Sequence, residues 1–287
     1  MEHKNKIAQD SLRRGVALGN PRRILRNFHQ QRFLLEQMIR RDVTQRYRGS
    51  FLGILWSVIT PLLMLVIYTF VFSVVFQARW RPDQHNLPMG EFALTLLAGL
   101  IPFNYFSEVL NRSTAIVVNQ SNYVKKVVFP LEILTVMISG TALINSLINL
   151  GIFILGSLIF LGKVPVTIFL LPLVYLPLAL LCLGIGWFLA SIGVYIRDVG
   201  LVVTVITQVL FFITPIFYPI SSVPEALRPL VMLNPLTAIV ENFRRVALWG
   251  EMPAWNSLLV WSIIGFVLVE IGYIWFIGTK KGFADVI

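Results

Sequence analysis

The sequence predicts an all-α integral membrane protein with six transmembrane helices, and three observations carry that fold class. Of 287 residues, 56% are hydrophobic and 13% are charged, whereas soluble domains carry roughly a quarter charged residues. Apolar runs of the length that crosses a bilayer, about 20 residues as a helix, recur along the chain. The basic residues are lopsided: Arg13, Arg14, Arg22, Arg23, Arg26, Arg32, Arg40, Arg41, Arg46 and Arg48 all precede Trp56, which places that end on the cytoplasmic side by the positive-inside rule.

The six runs fall at about Trp56–Gln77, Phe92–Val117, Ile133–Leu161, Thr167–Tyr195, Leu201–Ile220 and Trp255–Gly278. An even number that starts inside ends inside, and Lys280 and Lys281 follow the last run as the charge rule requires. Residues 1–30 form a basic tail, and residues 31–287 form one transmembrane domain. The stretch before the first run is too long, polar and basic for a cleaved signal peptide, so the first span is expected to serve as the membrane signal. The formal charge of +10 is gathered ahead of that span rather than laid out as a phosphate-tracking stripe, which argues for bilayer orientation and against nucleic acid.

Ahead of Trp56, Phe33, Leu34, Met38, Ile39 and Val43 recur at helical spacing among arginines, the pattern of an amphipathic helix on the inner surface. The connection between the fifth and sixth runs is long and structured. Ser222-Val-Pro-Glu225 reads as one helix start, and Asn234-Pro235 as a second, with Asn as cap and Pro at the first helical position. Beyond it Leu236, Ile239, Val240, Phe243, Val246 and Ala247 form an apolar stripe, with Glu241, Arg244 and Arg245 off it. Two short helices dipping into the outer leaflet fit that pattern, as does a plain surface hairpin.

Catalytic and metal chemistry has little to work with. The three histidines, His3, His29 and His85, lie outside the spans without ligand spacing, and the single cysteine, Cys182, sits in an apolar run. Glu108 and Glu270 are the acids well inside the spans; Glu108 and Arg112, four apart, share a helix face as an intramembrane ion pair. Asn145 and Asn149 repeat that spacing as interhelical hydrogen-bonding residues. No Walker A pattern occurs, so the chain is not an enzyme that hydrolyses nucleotide, and an ATP-driven pump would need a partner subunit to do so. The inner link from Ser121 to Leu134 is well furnished for such a partner: Tyr123, Val127, Val128 and Phe129 as apolar anchors, Lys125 and Lys126 as charge. On residues alone it reads equally as a loop whose lysines enforce orientation.

At Arg40-Arg-Asp-Val-Thr-Gln-Arg-Tyr-Arg-Gly-Ser-Phe-Leu-Gly-Ile-Leu-Trp56, Gly99-Leu-Ile-Pro-Phe-Asn-Tyr-Phe-Ser-Glu108, Asn122-Tyr-Val-Lys-Lys-Val-Val-Phe-Pro-Leu-Glu-Ile-Leu134 and Asn234-Pro-Leu-Thr the chain resembles the permease subunits of type-2 ABC polysaccharide exporters, in particular the O-antigen (lipopolysaccharide) branch. The likeness runs from about Phe33 onward. It implies a homodimer in the bacterial cytoplasmic (inner) membrane, with both termini cytoplasmic. Two copies of an ABC ATPase would bind it, with ATP and Mg used there and no cofactor in this chain. The substrate implied is an undecaprenyl-linked O-antigen polysaccharide. The basic helix would be the family's interface helix, and Asn122, Tyr123, Lys125, Lys126, Phe129, Pro130 and Leu131 its cytoplasmic coupling helix. Pro224, Leu227, Asn234, Pro235, Arg244 and Arg245 would belong to its re-entrant gate helices. The family's path lies between protomers along the first and fifth spans, so Tyr68, Phe72, Phe211, Phe212, Phe217 and Tyr218 are the channel-lining candidates, since sugars stack on aromatic faces. Capsule and teichoic-acid permeases are the near alternatives. An ion-driven lipid flippase would need a charged relay beyond Glu108, Arg112 and Glu270, and a membrane glycosyl- or acyltransferase would need an acid–base cluster that the histidines do not supply.

Overall fold

The computed structural model describes residues 30–46, 48–75, 88–124 and 129–287. Among them every regular element is helical. The basic tail, Arg79, Trp80, Arg81, the three histidines, Lys125, Lys126, Val127 and Val128 lie outside the described residues.

The long elements are α1 (Arg32–Arg46), α2 (Trp56–Thr69, prolonged by a π turn over Phe70–Val75) and α3 (Met89–Ser113). The turns α4 (Ile116–Asn119) and α5 (Ser121–Val124) follow, then α6 (Ile133–Leu161) and α7 (Leu171–Tyr195, opened by a 3-10 turn over Val166–Leu170). Last come α8 (Val199–Ile213), α9 (Arg228–Leu233), α10 (Pro235–Arg244, prolonged by a π turn over Arg245–Trp249), α11 (Trp255–Thr279) and α12 (Phe283–Val286). Among the described residues, five helical segments are long and apolar enough to cross a membrane, beginning at Trp56, Met89, Ile133, Val166 and Trp255.

The fifth expected span is the exception. The apolar run continues to Ile220, but α8 stops at Ile213, with Thr214 already extended at φ −68°, ψ 134°. Pro215 supplies the reason, because its ring disfavours helical geometry in the residue before it and it has no N–H to continue the ladder. At 15 residues and about 1.5 Å per residue, α8 falls short of a hydrocarbon core of about 30 Å.

The bundle is organised around α3, which is buried on nearly every side: Phe92, Leu96, Ala98, Ile101 and Val109 are all inside. A helix buried over most of its length is a core helix, and its neighbours α6, α7 and α10 pack directly against it. By contrast α2 and α8 present rows of exposed apolar side chains, among them Leu63, Val66, Ile67 and Phe70 on the first and Leu201, Val205, Val209 and Phe212 on the second.

Helices α7 and α11 approach closely along small residues. A Cβ built on Gly272 would lie 2.2 Å from the Gly184 carbonyl oxygen, and one on Gly184 would lie 2.4 Å from the Leu268 carbonyl carbon. In lipid, where burial of apolar surface gives no net drive, this backbone-to-backbone packing is a main source of cohesion. Gly278, at the end of α11, has no atom within 4 Å of such a Cβ. Gly272→Ala is therefore expected to cost about 1–3 kcal/mol through overpacking, read as a lower thermal midpoint of the purified protein in detergent, while Gly278→Ala leaves the midpoint unchanged or slightly raised. Equal effects of the two would contradict the packing.

Candidate functional site: an aromatic cluster, a buried arginine and two polar ties

Five of the six aromatic candidates come together. Phe217 stands at the centre: it stacks on Phe72 with ring centroids 4.3 Å apart and 15° between planes, and meets Tyr68 at 5.3 Å and Phe211 at 5.0 Å edge-on. Phe212 adjoins Phe211 at 5.4 Å, and Phe103 of α3, which the sequence did not single out, closes the inner side at 5.0 Å from Phe211. The cluster therefore joins α2 to α8 through the irregular segment after Ile213. Its rings differ in access: Phe217 is 4% exposed and Phe212 65%. The Tyr68 hydroxyl makes no hydrogen bond among the described residues, whereas Tyr218 is committed, donating to the carbonyls of Ile213 at 2.7 Å and Phe212 at 3.1 Å. Those are two of the carbonyls that a helix C-terminus leaves open, so Tyr218 caps α8.

What holds Phe217 in place is a charge. Arg244 is 0% exposed, and its guanidinium donates through Nη1 to the Pro215 carbonyl at 2.7 Å, through Nη2 to the Ile216 carbonyl at 2.9 Å and through Nε to the Thr95 carbonyl of α3 at 3.2 Å. Nη1 also meets Glu241 Oε1 at 2.8 Å, one turn back on α10. The expectation that Arg244 lies off the buried stripe, on the polar side of its helix, is thus overturned. The physical reason is that non-helical backbone surrounded by apolar side chains needs donors, and the planar guanidinium supplies several from one residue. Gly99 makes the room, since a Cβ there would lie 2.9 Å from Arg244 Nη2. Arg245, next along, stays at the surface with Glu251 at 3.4 Å and the Met252 carbonyl at 3.0 Å.

The same segment is fixed from α10's other end. Asn234 Oδ1 accepts from the Leu236 N–H at 3.0 Å, capping α10 with Pro235 in its first turn, while Asn234 Nδ2 donates to Thr214 Oγ1 at 2.9 Å. The helix start expected at Ser222–Glu225 is displaced. A 3-10 turn covers Ile220–Ser222, Pro224 is non-helical, Leu227 is the cap, and α9 begins at Arg228. Arg228 reaches back to the Val223 and Ser221 carbonyls at 3.0 and 3.1 Å, which binds this turn into a rigid corner.

The Glu108–Arg112 ion pair closes at 3.1 Å but belongs to a larger set. Arg112 Nη2 contacts both Asp42 carboxylate oxygens at 2.7 Å, Arg46 pairs with Glu108, and Asn145 donates to the second Glu108 oxygen at 2.9 Å. Two carboxylates and two guanidiniums thus balance at the junction of α1, α3 and α6. Asp42 and Arg46 escaped the sequence reading because their i,i+4 spacing is ordinary on an exposed helix. Asn149 turns to its own helix instead, donating to the Asn145 carbonyl at 2.8 Å. Both Glu270 carboxylate oxygens are buried without a hydrogen-bond partner among the described residues.

In the connection from Ser121 to Leu134, Ser121 and Asn122 lie within α5. Tyr123 stacks on Phe129 at 4.3 Å and 14°, and Arg41 Nη1 of α1 donates to the Tyr123 hydroxyl at 3.2 Å. After Pro130, Leu131 is buried. Glu132 precedes α6 and is anchored twice: its carbonyl accepts from Trp187 Nε1 at 2.9 Å, and its carboxylate meets Lys280 Nζ at 2.8 Å. The link is therefore tied both to α1 and to the end of α11.

Comparison with known proteins adds the family. The model of the ABC-2 type transporter family matches residues 34–248. An O-antigen export system permease protein of Myxococcus xanthus is 28% identical over 92% of this chain and 98% of its own length. One of Klebsiella pneumoniae is 26% identical over 88% of this chain and 95% of its own. A polysialic acid transport protein of Escherichia coli is 33% identical over a shorter stretch, 46% of this chain and 47% of its own length.

Removing a partner from a buried, hydrogen-bonded charge set typically costs about 3–5 kcal/mol. Arg244→Met is expected to fall in that range, seen as a large drop in detergent thermal midpoint and new protease cleavage between Thr214 and Val223. Arg245→Met, at the surface, stays within about 0.5 kcal/mol of the parent. Comparable losses in the two variants would contradict the assignment of Arg244.

Proposed function

The chain belongs to the ABC-2 type transporter family, and on that premise we propose that it is the membrane-spanning subunit of an ATP-driven polysaccharide exporter whose cargo is an undecaprenyl-linked O-antigen. The observation that carries the reading is the correspondence over nearly the whole length of both chains with an O-antigen export permease. The subunit works as a homodimer in the bacterial inner membrane, with both termini cytoplasmic. Two copies of an ABC ATPase bind on that side and use ATP and Mg. The long apolar faces of α2 and α8 support pairing of two copies across the path.

The mechanism follows from what the residues can do. Closure of the ATPase pair pushes on the link that contains Tyr123 and Phe129. The Arg41 contact to Tyr123 and the Lys280 contact to Glu132 pass that displacement to α1 and α11. The charge set at Asp42, Arg46, Glu108 and Arg112 moves α1 and α3 as one body, because separating any one charge leaves its partner uncompensated. The polymer then slides over Tyr68, Phe72 and Phe212, where aromatic faces give weak, sequence-tolerant contacts. A capsule polysaccharide is the second reading, favoured by the higher identity to the polysialic acid protein, although that match covers less than half of either chain.

Tyr123→Ala or Phe129→Ala removes one half of the stacked pair and is expected to lower export by about tenfold, the scale of a single interface hot spot. The variants either fail to retain the ATPase on purification or hydrolyse ATP without exporting glycan. Unchanged assembly together with an unchanged ratio of export to hydrolysis contradicts the coupling role.

A further inference from the structure

An apolar cleft of about 710 Å³ opens on the face formed by α1, α6 and α7, lined by Leu35, Val136, Leu143, Leu147, Leu150 and Tyr175 among others. Neither α2 nor α8 contributes to its lining, so it is separate from the aromatic cluster. Its inner end continues into a second hollow of about 480 Å³, which shares Leu35 and Ile39 with the first and adds Arg32, Glu36, Arg40 and Thr44. Ile39 forms the partition, seated on α6 where a Cβ at Gly140 would lie 2.4 Å from its Cδ1.

The charges in the second hollow are left open. Arg32, Glu36 and Arg40 stand at successive i,i+4 positions, where Glu36 could pair with either arginine. Among the described residues none of the three side chains makes a hydrogen bond or ion pair, and both arginines are exposed. The other arginines of α1 are used: Arg41 on Tyr123 and Arg46 on Glu108. Two guanidiniums without a partner among the described residues, beside an apolar cleft, match one kind of molecule, an anionic headgroup carried on hydrocarbon.

We propose that this groove is a binding site for an anionic membrane phospholipid, with its phosphate at Arg32 and Arg40 and an acyl chain in the cleft between α6 and α7. The site rests on the functional reading only in placing α1 at the cytoplasmic leaflet. A retained phospholipid, rather than the lipid-linked cargo, is the occupant because neither α2 nor α8 lines the groove, so a cargo bound there would be out of contact with the aromatic cluster. The bound lipid wedges α1 against α6 and so steadies the helix that carries Asp42 and Arg46.

The test uses the full chain with its ATPase, purified in mild detergent and titrated with phosphatidylglycerol or phosphatidylcholine, with bound lipids counted by native mass spectrometry. Phosphatidylglycerol is expected to be retained preferentially. R32Q/R40Q is expected to lower that preference by roughly ten- to thirtyfold, the effect of two surface arginines on an anionic lipid. Leu147→Trp, which narrows the cleft, is expected to reduce retention of both lipids while the complex stays folded and keeps its ATPase. A headgroup preference that survives R32Q/R40Q overturns the site, and so does one-for-one displacement of phosphatidylglycerol by undecaprenyl phosphate, which would make the groove a cargo site. Because lipid retention is read without export or hydrolysis, failure of the export reading would leave this result standing.

Discussion

The guanidinium of Arg244, buried among the carbonyls of Pro215, Ile216 and Thr95 with Glu241 beside it, is the contact on which the arrangement of the cluster depends. A helix that stops inside an apolar bundle leaves backbone acceptors with no water to satisfy them. The chain meets that need from three directions: Tyr218 caps α8, Asn234 holds Thr214, and Arg244 takes the carbonyls beyond. Phe217 follows directly after Ile216, so the same donors that satisfy the backbone also hold the central ring against Tyr68, Phe72 and Phe211. Electrostatics, backbone geometry and the aromatic surface are one device. Gly99 on α3 completes it by leaving the space the guanidinium occupies.

At the opposite end of α3, Arg112 and Glu108 perform a related task with different parts. They bind α1 through Asp42 and Arg46 and α6 through Asn145. The pairs are only partly buried, so desolvation and solvent screening offset much of the attraction, but removing one partner still leaves a charge without its counterpart. Such a set resists separation of its helices more than it adds to their folding. The central helix is thus fastened at one end to the irregular segment and at the other to the basic helix.

Much of this was legible in the sequence wherever local chemistry decides the outcome. Five of the six long apolar runs correspond to helices long enough to cross a bilayer, since in lipid a run of that length has few alternatives. Asn234-Pro235 announced a capped helix because both residues act on their own neighbours. The spacing of Glu108 and Arg112 fixed a shared face. Hydropathy overruns the end of α8, because the residues from Pro215 to Ile220 remain largely apolar after the helix stops at Ile213; Pro215 is the available signal. Arg244 was misplaced for a deeper reason. Its partners come from Thr95 on α3 and from Pro215 and Ile216, so its burial exists only once the bundle has assembled. The charge set was read as a pair on the same grounds, Asp42 and Arg46 being brought in by where α1 docks. The open arginines beside the apolar cleft need the fold as well, for the slot is made by α6 and α7.

The proposed path requires the polymer to cross the ring cluster that Arg244 holds between α2 and α8. The direct measurement is site-specific photocross-linking in exporting cells, with benzoylphenylalanine placed at Phe212 in the cluster or at Leu155, an exposed position on α6. A glycan adduct at 212 that requires an active ATPase, with none at 155, is the predicted result. Ongoing export with no adduct at 212, or with equal adducts at both positions, would contradict it.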